Sequence, residues 1–176
     1  MRPVLIDVGR LRDYQIGESH VAFAVHPTNP VRALTNGQLA NIFTGKVTNW
    51  KELGGSDQGI VIVTAKPGDG LRSMVESALL SNASLASGAR AMTNATEITK
   101  VVAQLPGGIG IVAPTALDRS VAELRAEKPI AQPLILVTID EETREVRSVV
   151  AAAIATGKSP CAHSRAGAEP QSSCAR

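Results

Sequence analysis

The sequence predicts an α/β domain with a mostly parallel sheet flanked by helices, and three observations carry that prediction. Short apolar runs at Val21–Val25, Ile60–Val63, Ile109–Val112 and Leu134–Ile139 alternate with stretches whose apolar residues recur at helical spacing. Several of those stretches open with a capping pattern: Thr35 with Gln38, Asn49 with Glu52, and Asn94 with Glu97. The β-branched run Ile60, Val61, Ile62, Val63 has no polar member. A strand of that kind suits a parallel sheet covered on both faces.

Residues Met1–Glu18 give a mixed signal, with Val4–Val8 as a possible strand and Gly9–Asp13 as loop. VAFAV, Val21–Val25, reads as a strand, and its continuation HPTNP is forced into an extended or turned connection by two prolines and Asn29. A helix follows from the Thr35 cap, with Leu39, Ile42 and Phe43 on its apolar face and Gly45 as its stop. The next helical turn starts at Asn49, carries Trp50 and Leu53 inward, and ends at Gly54 and Gly55. Both Trp50 and Phe43 fall on apolar helix faces and are read as core. After the Ile60–Leu80 stretch, residues through Ala91 have the composition of a loop or a loose helical turn. The helix capped by Asn94 buries Ile98, Val101, Val102 and Leu105 and stops at Pro106, Gly107 and Gly108. Gly110, inside the strand Ile109–Val112, implies a close approach by another backbone or side chain. Leu117–Lys128 is helix-compatible and charged, and prolines 129 and 133 lead into the strand Leu134–Ile139. A last helix places Val146, Val149, Val150, Ala153 and Ile154 on one face and stops at Gly157, with Glu141, Glu142 and Glu145 complementing its dipole.

With 176 residues, 44% of them hydrophobic, the chain supports one domain with a real core; two would be a squeeze. The expected division is one domain over 1–157 and a disordered tail over 158–176, where little can be buried. A net charge of +2 with scattered Lys and Arg, and 2% aromatics, argues against nucleic-acid binding. No apolar run approaches the roughly 20 residues of a membrane span, so the chain is not membrane-spanning. MRPVLIDVGRLRD carries charges where an export signal has its apolar segment. Cys161 and Cys174 lack His or Cys neighbours at metal-ligand spacing, His20 and His26 lack suitable partners too, and His163 lies in the tail. Neither a metal nor a cofactor is called for.

The stretch that carries chemistry is Ile60–Leu80, IVIVTAKPGDGLRSMVESALL: strand, glycine-containing turn, helix. Asp69 is the natural N-cap, and Leu71, Met74, Val75, Ala78 and Leu79 form the packing stripe. Such a junction points backbone N–H groups and the positive end of the helix dipole at the turn, where an anion can be held. The competing reading is a plain helix start: Asp69 caps, Leu71 belongs to the core and Arg72 is solvated. Thr93, Asn94 and Thr96 are similarly divided between cap and ligand contact, with the cap favoured. No catalytic set is present: the sequence has no G-x-S-x-G, no H-E-x-x-H and no complete P-loop. The chain is read as a non-enzyme.

On these residues the chain resembles the phosphate-type substrate-binding proteins of ABC transporters, within the type 2 periplasmic binding protein fold. The resemblance runs through Pro27, Asn29, Pro30, Leu34, Thr35, Gln38, Leu39, Ile42, Phe43, Gly45, Asn49, Trp50, Leu53, Gly54 and Gly55. It continues through the helix and Gly107–Val112, and through Leu134–Ala155. It covers roughly Ile16–Ala155, equivalent to the second lobe plus the closing elements of the first in that two-lobed family. The family's binding turn reads G-S-G-T-R; Gly68, Gly70 and Arg72 match it, while Asp69 and Leu71 replace its two hydroxyl residues. The resemblance implies that Lys66, Gly68, Asp69, Gly70, Leu71 and Arg72 form one side of a site for phosphate or a similar oxyanion. In this reading Arg72 offers a bidentate guanidinium, Lys66 a second positive charge, and Leu71 its backbone N–H. An ionised Asp69 can only accept hydrogen bonds. The implied partners are an ABC-transporter permease or a chain supplying the missing lobe, and the implied location is periplasmic or cell-surface. A ligand-free interaction module keeping the fold of one lobe is the alternative. A truncated gene product, and more distantly an enzyme acting on phosphate esters, are further readings.

Overall fold

The computed structural model describes residues 11–81, 83–139 and 144–156. In chain order the elements are β1 (Leu11–His20), β2 (Ala22–Val25), β3 (Ala33–Leu34), α1 (Asn36–Phe43), a 3-10 turn (Trp50–Leu53), β4 (Val61–Ala65) and α2 (Gly70–Val75). A π-turn (Glu76–Leu80) continues α2, and β5 (Arg90–Met92), α3 (Ala95–Gln104), β6 (Gly108–Val112), a second 3-10 turn (Pro114–Ala116), β7 (Ala122–Ala126), β8 (Ala131–Ile139) and α4 (Arg144–Thr156) follow. Val4–Val8, Gly157, Cys161, His163, Cys174, Glu141, Glu142 and the tail lie outside the described residues. The described residues fall into two compact units, His20–Gln132 and a second made of 11–19 with 133–139 and 144–156.

The His20–Gln132 unit is built on a six-stranded sheet of order β3-β7-β2-β6-β4-β5. β3 pairs parallel with β7, and β4 pairs parallel with both β5 and β6. β2 runs antiparallel to its neighbours β6 and β7. Five strands therefore share one direction and β2 alone opposes them. Helices cover both faces, as the unbroken β4 run requires. One face holds Phe23, Val25, Ile62, Ile109, Ile111 and Leu124 with Leu39, Ile42, Phe43, Trp50, Met74 and Val75 from α1, the first 3-10 turn and α2. The opposite face holds Ala22, Ala24, Val63 and Val112 with Ile98 and Val102 of α3. The period-two alternation of VAFAV thus sends large residues to one side and alanines to the other.

Small residues on the second face let α3 come close. A Cβ on Gly110 would sit 2.7 Å from Ile98 Cγ2 and 2.9 Å from Val102 Cγ2. The close approach expected at this glycine is made by helix side chains. On the first face Trp50 is 1% exposed, and its indole Nε1 donates to the Gly107 carbonyl at 3.0 Å. Phe23 and Phe43 pack with ring centroids 5.6 Å apart. The HPTNP connection is fixed by Arg32, whose guanidinium donates to the carbonyls of Pro27, Asn29 and Val31.

Several expectations change. The helix-compatible segment Leu117–Lys128 instead contains strand β7, because alternate burial with Leu124 inward suits a strand paired between β3 and β2. Leu11–Asp13, expected as loop, open strand β1. The loop after Leu80 gives way to β5 at Arg90, paired to β4. In the helix after Asp69, Ala78 is exposed and Leu80 is buried. The π-turn adds a residue to its turn and so shifts the packing stripe along the chain.

In the other unit, β1 and β8 pair as a two-stranded sheet, and Tyr14 and Val150 are buried. Leu134, Ile135 and Val137 of β8 are exposed, as is Val149 of α4. Val149 was expected inside with Val150; adjacent helical residues point about 100° apart, and the buried direction is that of Val150. No described helix is long and apolar enough to cross a membrane.

Candidate functional site

The register of the six-stranded sheet decides where the predicted turn lies. Ala65 pairs with Met92, Val63 with Gly110, and Ala22 with Val112. The carboxyl ends of β4, β5 and β6 thus lie along one edge, and β4 and β5 pass directly from it into α2 and α3. Leu34 pairs with Ala126 at the same edge, where β3 feeds α1. Three helices therefore start on one rim, with N-caps Thr35, Asp69 and Asn94. In open α/β sheets, ligands characteristically bind outside the carboxyl ends of the strands.

Each N-cap is built as its local sequence dictates. Thr35 and Gln38 satisfy one another's backbone N–H groups in a full capping box. Asn94 accepts from Glu97 N at 2.9 Å, while Glu97 reaches the Thr93 amide at 2.8 Å rather than that of Asn94. Both side chains are thereby used in the helix start, so for Asn94 the capping role is the observed one.

The six residues expected to form the site lie together in the segment between β4 and the first turn of α2. Lys66, Pro67, Gly68 and Asp69 make a tight turn, closed by the Asp69 amide donating to the Lys66 carbonyl at 3.2 Å. Proline sets the second position and Gly68 takes φ 90° at the third, the left-handed conformation that favours glycine. Lys66 is exposed. Gly70 opens α2, and Leu71 packs its side chain against the large-residue core while leaving its amide at the turn.

The side chains of Asp69 and Arg72 in this turn are already engaged. Asp69 Oδ1 accepts from the amides of both Leu71 and Arg72, at 3.0 and 3.2 Å. Arg72 is neither solvated nor aimed at open space: its Nη1 donates to the Ala65 carbonyl at 3.1 Å and its Nε to Glu76 Oε1 at 2.7 Å. Its side chain is 15% exposed. The guanidinium thus ties the last residue of β4 to the π-turn. Glu76 was not among the expected site residues, although its i,i+4 spacing from Arg72 is a readable signal. The Ala65 carbonyl carried no such signal.

Beyond this segment, a hollow of about 570 Å³ lies along Arg72, Ser73, Glu76, Ser77, Ser81 and Ser84. A second, of about 360 Å³, is lined by Ile42, Thr44, Val47, Ile60, Ile62 and Ser87. Asp118, in the loop after β6, accepts from the hydroxyl and the amide of Ser120, and these bonds hold its carboxyl below the usual aspartate range.

A family model described as a PBP superfamily domain matches residues 6–163. The phosphate-binding protein PstS of Bacillus subtilis (strain 168) is 38% identical over 108 residues, 61% of this chain and 36% of that protein. Among solved structures, an ABC-type phosphate transport receptor from Vibrio cholerae superposes with TM-score 0.72 at 24% identity, covering 83% of this chain and 67% of the receptor. A putative phosphate ABC transporter substrate-binding protein from Clostridium perfringens, with bound phosphate, gives TM-score 0.69 at 27% identity, covering 80% and 64%. The chain's match spans about a third of the curated relative's length and about two thirds of each of these solved relatives.

Proposed function

Because the chain belongs to the PBP superfamily, we propose that it is a non-enzymatic binding domain for phosphate or a similar oxyanion, with Lys66, Gly68, Asp69, Gly70, Leu71 and Arg72 contributing its side of the site. The observation that carries this reading is the position of the Lys66–Arg72 turn, at the carboxyl end of β4 and the start of α2, in a chain similar to phosphate-binding relatives. There the exposed Lys66 and the positive end of the helix start give positive charge on one rim, while the Leu71 and Arg72 amides are held by Asp69 Oδ1. The proposed context here is a periplasmic or cell-surface location with an ABC-transporter permease as partner, and further ligand contacts from a second lobe. The test is an amide NMR titration of the chain with inorganic phosphate, beside sulfate and molybdate. Shifts concentrated at Lys66–Arg72, and reduced in Lys66→Ala, are expected. No shift in that segment at high millimolar phosphate would sink the reading.

A second reading has its own observation. Leu134, Ile135 and Val137 are about half exposed on a two-stranded sheet, which supports a module completed by another chain rather than an autonomous binder. Sedimentation of a clean monomer at high concentration, with solubility unaffected by Leu134→Lys, would count against it.

A further inference from the structure

Two carboxylates sit on donors that the oxyanion reading assigns to a ligand. Asp69 Oδ1 holds the Leu71 and Arg72 amides, and Glu76 Oε1 holds Arg72 Nε. An amide proton given to one carboxylate is not available to a second anion until the first leaves. A free oxyanion arriving beside Asp69 also meets like charge.

We propose that Asp69 is an intramolecular occupant of the turn and that Glu76 restrains Arg72 in the same way, so that the native chain keeps oxyanions at low affinity. Removing either negative charge then raises affinity. This rests on the reading of Lys66–Arg72 as the oxyanion site. It differs from plain capping in what it predicts. A cap that only starts α2 affects stability, whereas an occupant that competes with the ligand affects anion binding. Serine caps through the same amides without charge, so Asp69→Ser keeps the cap and removes the charge that competes with an incoming anion. Glu76→Gln retains the shape and an acceptor oxygen while removing the charge. The serines beside Glu76 around the adjoining hollow leave room for Arg72 to reorient once that charge is gone.

The experiment is isothermal titration of the full chain with inorganic phosphate at fixed pH and ionic strength, for wild type, Asp69→Ser, Glu76→Gln and the double variant. Circular dichroism checks that each is folded. If Asp69→Ser does not fold, Asp69→Asn replaces it, because Asn is equally favoured as an N-cap and close in shape. Phosphate binding at least about fivefold tighter in the Asp69 variant is expected, the effect of one unit charge at about 4 Å in a water-like medium. The double variant should bind tighter than either single one. Equal affinities in wild type and the Asp69 variant would overturn the charge competition assigned to Asp69 and leave the oxyanion site standing. No binding by wild type or double variant would overturn both.

Discussion

Two donors meet on one carbonyl oxygen in the core: the Val61 amide at 3.0 Å and the Trp50 indole N–H at 3.0 Å both reach Gly107. Trp50→Phe keeps an aromatic ring but removes one of those donors, and should cost about 1–3 kcal/mol from the lost hydrogen bond and the volume left behind. Urea denaturation measures it. Gly107 itself has no room for a side chain, since a Cβ there would lie 1.9 Å from the Gly59 carbonyl oxygen. Both groups are backbone and cannot step aside cheaply, so Gly107→Ala should destabilise by more than about 4 kcal/mol or prevent folding. At Asp118 the consequence is in acid. A carboxyl held below its unfolded value by the Ser120 hydroxyl and amide stabilises the fold above that value and loses the contribution as pH falls through its folded pKa. Ser120→Ala should therefore move the Asp118 midpoint upward, as read by NMR. At this scale the caps Thr35, Asn49, Asp69 and Asn94 were legible, because a cap is a contact over two or three residues of chain. The bond from Arg72 to the Ala65 carbonyl was not, because it depends on the direction in which α2 leaves the sheet.

Between elements, the tightest fit is that of α3 on β6. Gly110→Ala should push Ile98 and Val102 outward, at about 1–3 kcal/mol for overpacking. Adding Val102→Ala removes one of the two close contacts on the new methyl, so the two substitutions should cost less together than the sum of their separate effects. Thermal melts of the four chains test this coupling. The same comparison explains why some elements were legible and others hidden. β4 and β6 show themselves as apolar runs because both of their faces are covered. β7, by contrast, buries only Leu124 fully among five residues and carries Glu123 and Arg125 outward, a pattern that charge and composition alone assign equally well to a helix. The two-residue β3 and three-residue β5 lie at the sheet's edges, and strands that short leave too little periodicity to detect.

For the whole molecule, both core clusters draw their fully buried residues from within His20–Gln132. A chain of residues 20–132 is therefore expected to fold alone and to keep the Lys66–Arg72 turn. Dispersed amide NMR signals would support this, and a molten spectrum would refute it. The α/β class and the family were readable from sequence because the β2-to-β4 region carries a continuous pattern of caps, glycines and core residues. The state of the turn was not readable: whether its donors are open or engaged depends on where two carboxylates point in space. The chain contains one tryptophan and one tyrosine, Trp50 sealed in the His20–Gln132 core and Tyr14 buried in the other unit. Nature has thus placed a separate intrinsic fluorophore in each half. Red-edge excitation of the indole follows the melting of the six-stranded sheet alone, and Trp50→Phe leaves a chain whose only emission, from Tyr14, reports on the two-stranded one.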